Sequence, residues 1–122
     1  MSNHAMSAEI GLPVSRALVA YVREDYRSVV DLLLPIRRRL SSFGGSHAQR
    51  DALQKTLVEA ALRAGAHDIA GALLGERLSL RPSSTYNLLG RARLATQLGD
   101  DEGAAAARRT AREYAAAATP LL

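Results

Sequence analysis

Apolar side chains recur at intervals of three and four residues along most of this chain, in segments separated by short runs of Gly, Pro, Ser and Asp. That interval places them on one face of an α-helix. In the first segment Val14, Ala17, Leu18, Tyr21 and Val22 fit such a face, which predicts a helix from Pro13 to about Arg23. Pro13 suits the first helical position, where an N–H would lack an intrahelical partner in any case. A second segment carries Val29, Val30, Leu32, Leu33, Leu34, Ile36 and Leu40, with Asp25 placed to cap it. Pro35 falls inside that pattern. It removes a hydrogen bond and clashes with the preceding turn, so it must kink the helix or end its first part.

Gly44-Gly45 is a clear break, and Ser46 follows with Gln49 three residues on. That is the spacing of a capping box: the Ser46 side chain accepts from the Gln49 amide, and the Gln49 side chain reaches back. The third helix is expected from about His47 to Ala64, with Leu53, Leu57, Val58, Ala61 and Leu62 as its core stripe and Gly65 as a left-handed C-terminal cap. The fourth, from about His67 to Leu80, buries Ile69, Ala70, Leu73, Leu74 and Leu78, and Pro82 ends it. Ser83, Ser84 and Thr85 offer N-caps for a fifth helix carrying Leu88, Leu89, Ala92, Ala95 and Leu98, closed by Gly99. Asp100 or Asp101 caps a sixth, alanine-heavy helix that runs to about Ala118 and stops at Pro120. Asp101 and Glu102 suit its positive end. Residues 1–10 show no periodicity and read as a disordered lead, or in part as an expression scar.

Composition narrows this to an all-α protein. Alanine accounts for 23 of the 122 residues and β-branched residues are sparse, which favours closely packed helices over sheet. A helical domain is expected over 11–119, as three antiparallel helix pairs at about 12–40, 46–80 and 84–118. The net charge is +4, from fifteen Arg and the single Lys55 set among twelve acids. A nucleic-acid binder would concentrate its cations in a stripe; here they are spread among acids, as on a solvated helical surface. The absence of Cys excludes disulfides, thiolate catalysis and Cys-ligated zinc. No apolar run approaches the ~20 residues of a membrane span. No basic stretch followed by an apolar core marks a secretory leader, so a cytoplasmic location is expected.

Gly65-Ala66-His67-Asp68-Ile69-Ala70 is echoed 34 residues on by Gly99-Asp100-Asp101-Glu102-Gly103-Ala104. A repeat of that length is the signature of stacked helical hairpins. The pairs resemble tetratricopeptide repeats, whose motif sets Gly before the second helix, Ala at the close contact inside it and Pro after it. The middle pair has Gly65, Ala70, Leu74 and Pro82 at those offsets, with Ala61 in its first helix. The last pair keeps Gly99, Ala104 and Ala111, with Ala92 and Ala95 upstream, and lacks the closing Pro at the matching offset. In the first pair Tyr26 fits the aromatic position, but Val29 replaces Ala and Glu24 replaces Gly. A narrower match is carried by Gly44-Gly45-Ser46-His47-Ala48-Gln49-Arg50-Asp51, with Leu57, Glu59-Ala60-Ala61, Arg63-Ala64-Gly65, Leu73-Leu74, Glu76-Arg77 and Arg81-Pro82. It is similar to the C-terminal part of the tetratricopeptide repeat protein 38-like family, over about residues 20–110. The resemblance implies an α-solenoid, its pairs stacked right-handed as in tetratricopeptide repeats, with no established catalytic activity. Members of that family are several times longer, which implies a C-terminal piece or a short relative.

His47, Arg50 and Asp51 share one face at the start of the third helix. A His and a carboxylate at that spacing suit metal binding or acid–base work, but two ligands do not make a metal site and no H-E-x-x-H set accompanies them. The other readings are ligand recognition, or a helix start in which Ser46 and Gln49 cap while Arg50 and Asp51 pin the preceding loop. Asp68, beside His67, suits the positive end of the fourth helix. Arg37, Arg38 and Arg39 diverge around a helix and form no patch. Arg77, Arg81, Arg91 and Arg93 are placed to line a groove between pairs, which would favour an acidic peptide or a C-terminal carboxylate. Tyr86 and Asn87 are placed to face the same groove, while Tyr21, Tyr26, Tyr114 and Phe43 read mostly as core or spacers. No G-x-S-x-G elbow, phosphate loop or dinucleotide fingerprint occurs, so no enzyme, cofactor or metal is expected.

The expected function is therefore a protein–protein interaction module. Its concave face, formed by the first, third and fifth helices, would take a peptide or partner segment, with acidic character favoured by the arginines. The competing expectation is a self-associating structural piece. Leu18, Tyr21 and Val22 have no preceding repeat to cover them, and the sixth helix carries Ala on several faces before Leu121 and Leu122, so either end could support a homodimer.

Overall fold

The computed structural model describes residues 10–40 and 46–118. Among them the protein is all-α, with no strand: α1 (Leu12–Val22), α2 (Tyr26–Leu33), α3 (His47–Arg63), α4 (His67–Leu80), α5 (Thr85–Gln97) and α6 (Asp101–Ala118). The chain forms two compact units, residues 1–64 and 65–122, whose boundary falls inside the expected middle pair. Phe43, Gly44-Gly45, the loop that Arg50 and Asp51 were expected to pin, and Pro120 to Leu122 lie outside the described residues.

In the first unit, Ile10 corrects the expected lead: it is fully buried, so the packed chain includes the last of residues 1–10. Pro13 sits in the first turn of α1. Val14 and Ala17 are buried, whereas Leu18 and Val22 are exposed. Glu24 turns the chain with φ 61°, a left-handed conformation that glycine adopts at less cost. Asp25 then caps α2, accepting from Ser28 N at 3.3 Å and from Ser28 Oγ at 2.6 Å. Pro35 ends α2 rather than kinking it; Leu34–Ile36 form a 3-10 turn, as expected where the ring blocks the next α-helical bond. The capping box of α3 is complete, with Ser46 N donating to Gln49 Oε1 at 2.8 Å and Gln49 N donating to Ser46 Oγ at 3.1 Å.

α3 packs on α2 in the opposite direction. Arg63 Nη1, at the end of α3, donates to the Tyr26 hydroxyl at the start of α2 (2.8 Å), and Gln54 Nε2 donates to the Arg37 carbonyl (2.8 Å). The Arg63 guanidinium also lies 5.3 Å from the Tyr26 ring centre, and Tyr21 meets Tyr26 edge to face at 5.5 Å. The Tyr26 hydroxyl, with Glu59 behind it, holds the Arg63 pKa above its ordinary value.

In the second unit α4 and α5 also run in opposite directions, in a four-rung register. His67 Nε2 meets Gln97 Oε1 at 3.0 Å, Gly71 faces Leu94, Leu74 faces Gly90, and Arg77 Nε donates to Asn87 Oδ1 at 2.7 Å. α6 packs along α5, and Leu78, Leu88 and Ala111 share a core. Arg108 Nη2 donates to Thr96 Oγ1 across the α5–α6 contact (3.1 Å). Gly65 and Gly99 both have positive φ, 71° and 78°, as helix-ending glycines do. Ser84 is the cap of α5, and Asp100 caps α6 by accepting from Gly103 N at 2.9 Å. Two members of the expected α5 stripe are corrected: Leu89 and Leu98 are exposed. α5 turns Leu88, Ala92 and Ala95 to one side and Asn87, Gly90 and Leu94 to another; Leu89 falls outside both arcs, and Leu98 lies past the last helical residue.

Candidate functional site

The start of α3 is the best-organised surface among the predicted residues. Ser46 and Gln49 spend their side chains on the capping box, which orients the first turn. His47 Nδ1 lies 3.4 Å from Arg50 Nη2, a geometry in which the guanidinium donates to the ring nitrogen. Asp51 pairs with Lys55 at 3.3 Å, one turn along the same helix. His47 and Asp51 are thus drawn toward different partners, and among the described residues no three of His, Asp and Glu stand close enough to hold a metal ion.

Arg50 and Gln49 form the rim of a hollow of about 360 Å³. Its walls are Val14 and Leu18 of α1 and Ala52, Leu53 and Thr56 of α3. The Thr56 hydroxyl donates to the Ala52 carbonyl at 2.8 Å, so its proton is spent within the helix. The hollow therefore offers apolar walls and one cationic edge, which suits an apolar side chain next to an acidic group. The sequence pattern assigned Val14, Leu18 and Leu53 to core stripes. Two signals pointed here: Leu18, whose face lacked a cover, and Arg50, singled out with His47 and Asp51 at the helix start; Ala52 and Thr56 carry no periodic signal at all.

The residues expected to line a groove on the fifth helix behave differently. Asn87 is not a surface group: it is 1% exposed, and Arg77 occupies its side-chain oxygen. The Arg77 guanidinium also stacks 5.4 Å from the centre of Tyr86, so Arg77 is committed to α5 and is not a free groove cation. Tyr86 is partly exposed and, with Arg81, Pro82, Ser84, Tyr114 and Ala118, lines a separate cleft of about 610 Å³ beside the end of α6. Arg91 and Arg93 are exposed and line neither the hollow nor this cleft. Tyr114, grouped with the aromatics read mostly as core or spacers, is exposed.

The positions read as structural are placed as packing or capping elements. Ala70 and Ala104 are buried, Pro82 follows the end of α4, and Ser46, Gln49, Gly65 and Gly99 are caps. Among the described residues no helix is long and apolar enough to cross a membrane. No protein-family model matches this chain, and no solved structure matches it.

Proposed function

We propose that this chain is a non-catalytic protein–protein interaction module of the tetratricopeptide type, its helices stacked as three antiparallel pairs in a right-handed solenoid. The hollow between α1 and α3 takes an apolar side chain of a partner segment, and Arg50, with His47 beside it, meets an acidic group of that segment. One observation carries this reading: an apolar hollow with a single cationic edge, at the helix start where the sequence concentrates its unusual polar residues. The Gln49 and Thr56 side chains are engaged in the capping box and a helix bond, which supports recognition rather than chemistry as the use of the site.

Selection of a random peptide library on the full chain tests it. Enriched peptides should pair one large apolar residue with a neighbouring acid, and Leu53→Asp or Arg50→Glu should abolish their binding with helicity unchanged. Enrichment of nothing, or of peptides indifferent to both substitutions, removes the reading.

A second reading, self-association through a terminal helix, draws on the cleft at the end of α6, where Leu80 and Tyr114 are exposed on the same surface. Light scattering at high protein concentration decides it: a monomer rules it out, and a dimer broken by Leu80→Ser and Tyr114→Ser supports it.

A further inference from the structure

A titratable pair stands at the rim of the hollow. His47 and Arg50 are one turn apart at the start of α3, and Arg50 Nη2 lies 3.4 Å from His47 Nδ1. A ring nitrogen accepts from a guanidinium only while it carries no proton. Once protonated it becomes a donor itself, and two cations then face each other at a distance where they repel. Histidine is the side chain whose charge ordinarily changes between pH 5 and 8. The contact is therefore one that a proton breaks.

The charges around the pair set the direction of the effect. No acid stands in the first turn of α3. Asp51, one turn past His47, pairs with Lys55 at 3.3 Å. From α1 the hollow is walled by Val14 and Leu18, neither of which titrates. The turn after α2 meets α3 at Gln54, two turns past His47, where the Arg37 carbonyl accepts from Gln54 Nε2 at 2.8 Å. That meeting brings a cation, not an acid, to the helix. The peptide dipoles at the start of α3 also oppose a positive ring. An acidic group carried to the rim by a bound segment meets two cations when His47 is protonated and one when it is not.

We propose that His47 is a proton switch on recognition at this hollow. Protonation releases the Arg50 guanidinium from the ring and adds a second positive charge beside it, so acidic segments bind more tightly as the pH falls from 8 to 5. The coupling is reciprocal: the bound acid draws a proton onto His47, and binding takes up protons in this range. The switch rests on the reading of the hollow as a recognition site, and its test separates the two.

The first measurement uses the free chain and no peptide. In a pH titration followed by heteronuclear NMR, the Arg50 side-chain signals should move together with the His47 ring signals, and should stay still in His47→Gln. Arg50 signals that ignore the ring overturn the switch whatever the hollow binds. The second uses a library-selected peptide with one large apolar residue, one Asp and no His, whose binding Arg50→Glu abolishes. It should bind about three- to fivefold more tightly at about pH 5.5 than at about pH 7.5 in fixed salt, with circular dichroism of the chain the same at both. Calorimetry in buffers of different ionisation heat should show net proton uptake on binding. His47→Gln should bind the peptide equally at the two pH values, whereas His67→Gln, in the second unit, should keep the full difference. Affinity that is flat or falls on acidification, or a difference that survives in His47→Gln, overturns the switch and leaves the hollow as a recognition site. Failure to select any such peptide removes the recognition site, and the switch with it.

Discussion

Asn87 accepts a 2.7 Å hydrogen bond from Nε of Arg77, and it is the buried polar side chain among the described residues. A buried amide oxygen that loses its donor has no water to turn to, so breaking the pair from either side leaves an unsatisfied group. Arg77→Met, which keeps the stem and removes the donor, should cost about 1–3 kcal/mol. Asn87→Leu should cost a comparable amount by removing the acceptor of that bond and misfitting the α4–α5 contact. The double variant should cost less than the two singles added. Urea unfolding of all four chains gives the coupling directly, and additive losses would mean the bond contributes nothing of its own.

The next rung makes a glycine decisive. A Cβ at Gly90 would lie 2.7 Å from Leu74 Cδ2, and Leu74 is buried with little room to move. Gly90→Ala gains about 1 kcal/mol of helix propensity but overpacks this contact at a cost of about 1–3 kcal/mol, so it should destabilise on balance. Gly75, also inside α4, has nothing within 4 Å of where a Cβ would stand. Gly75→Ala should therefore stabilise by about 0.5–1 kcal/mol. Opposite signs in thermal melts of the two variants are the expected result; the same sign for both would mean that Leu74 yields freely.

This rung also shows why the sequence was legible on one side of α5 and not the other. One buried side is written in apolar residues, Leu88, Ala92 and Ala95, with Leu88 sharing a core with Ala111 of α6, and periodicity finds it. The face toward α4 is Asn87, Gly90 and Leu94, a polar residue and a glycine where a hydrophobic scan expects solvent. Asn87 was accordingly read as a groove residue. Helix ends were legible because they are fixed locally: Asp25, Ser46, Ser84, Gly65 and Gly99 act within one turn of themselves. The hollow beside Arg50 needs α1 and α3, more than thirty residues apart, and no local pattern encodes that meeting.

The turn between α1 and α2 stores strain that the equivalent turns avoid. Glu24 holds φ 61°, where Gly65 and Gly99 hold 71° and 78°. A side chain in that region costs about 1–2 kcal/mol, and glycine gives back part of the gain through the flexibility of its unfolded chain. Glu24→Gly should thus be neutral to stabilising by up to about 1 kcal/mol, whereas Gly65→Ala and Gly99→Ala should each destabilise by about 1 kcal/mol. Differential scanning calorimetry on the three variants checks the ordering. A clear loss for Glu24→Gly would show that the Glu24 side chain makes a stabilising contact that outweighs its backbone.

The capping box ties stability to the proposed site. Ser46 Oγ accepts from Gln49 N and Gln49 Oε1 accepts from Ser46 N, so each residue satisfies a helix-end group of the other. Ser46→Ala removes the cap acceptor and should cost about 1 kcal/mol. Gln49→Ala removes the reach-back bond alone and should cost less, because the Ser46 amide is exposed and water can replace the lost acceptor. Gln49 and Arg50 together form the rim of the hollow, and Arg50 N donates to Ser46 O at 3.1 Å. Fraying this turn therefore moves the cationic edge away from the apolar walls. Ser46→Ala should weaken binding of hollow-directed peptides several-fold even at temperatures where the chain is fully folded, and Ser46→Asp, which restores the acceptor, should recover both stability and binding. Isothermal titration of the two variants against one selected peptide separates the outcomes. If Ser46→Ala loses stability and keeps full affinity, the first turn of α3 plays no part in recognition.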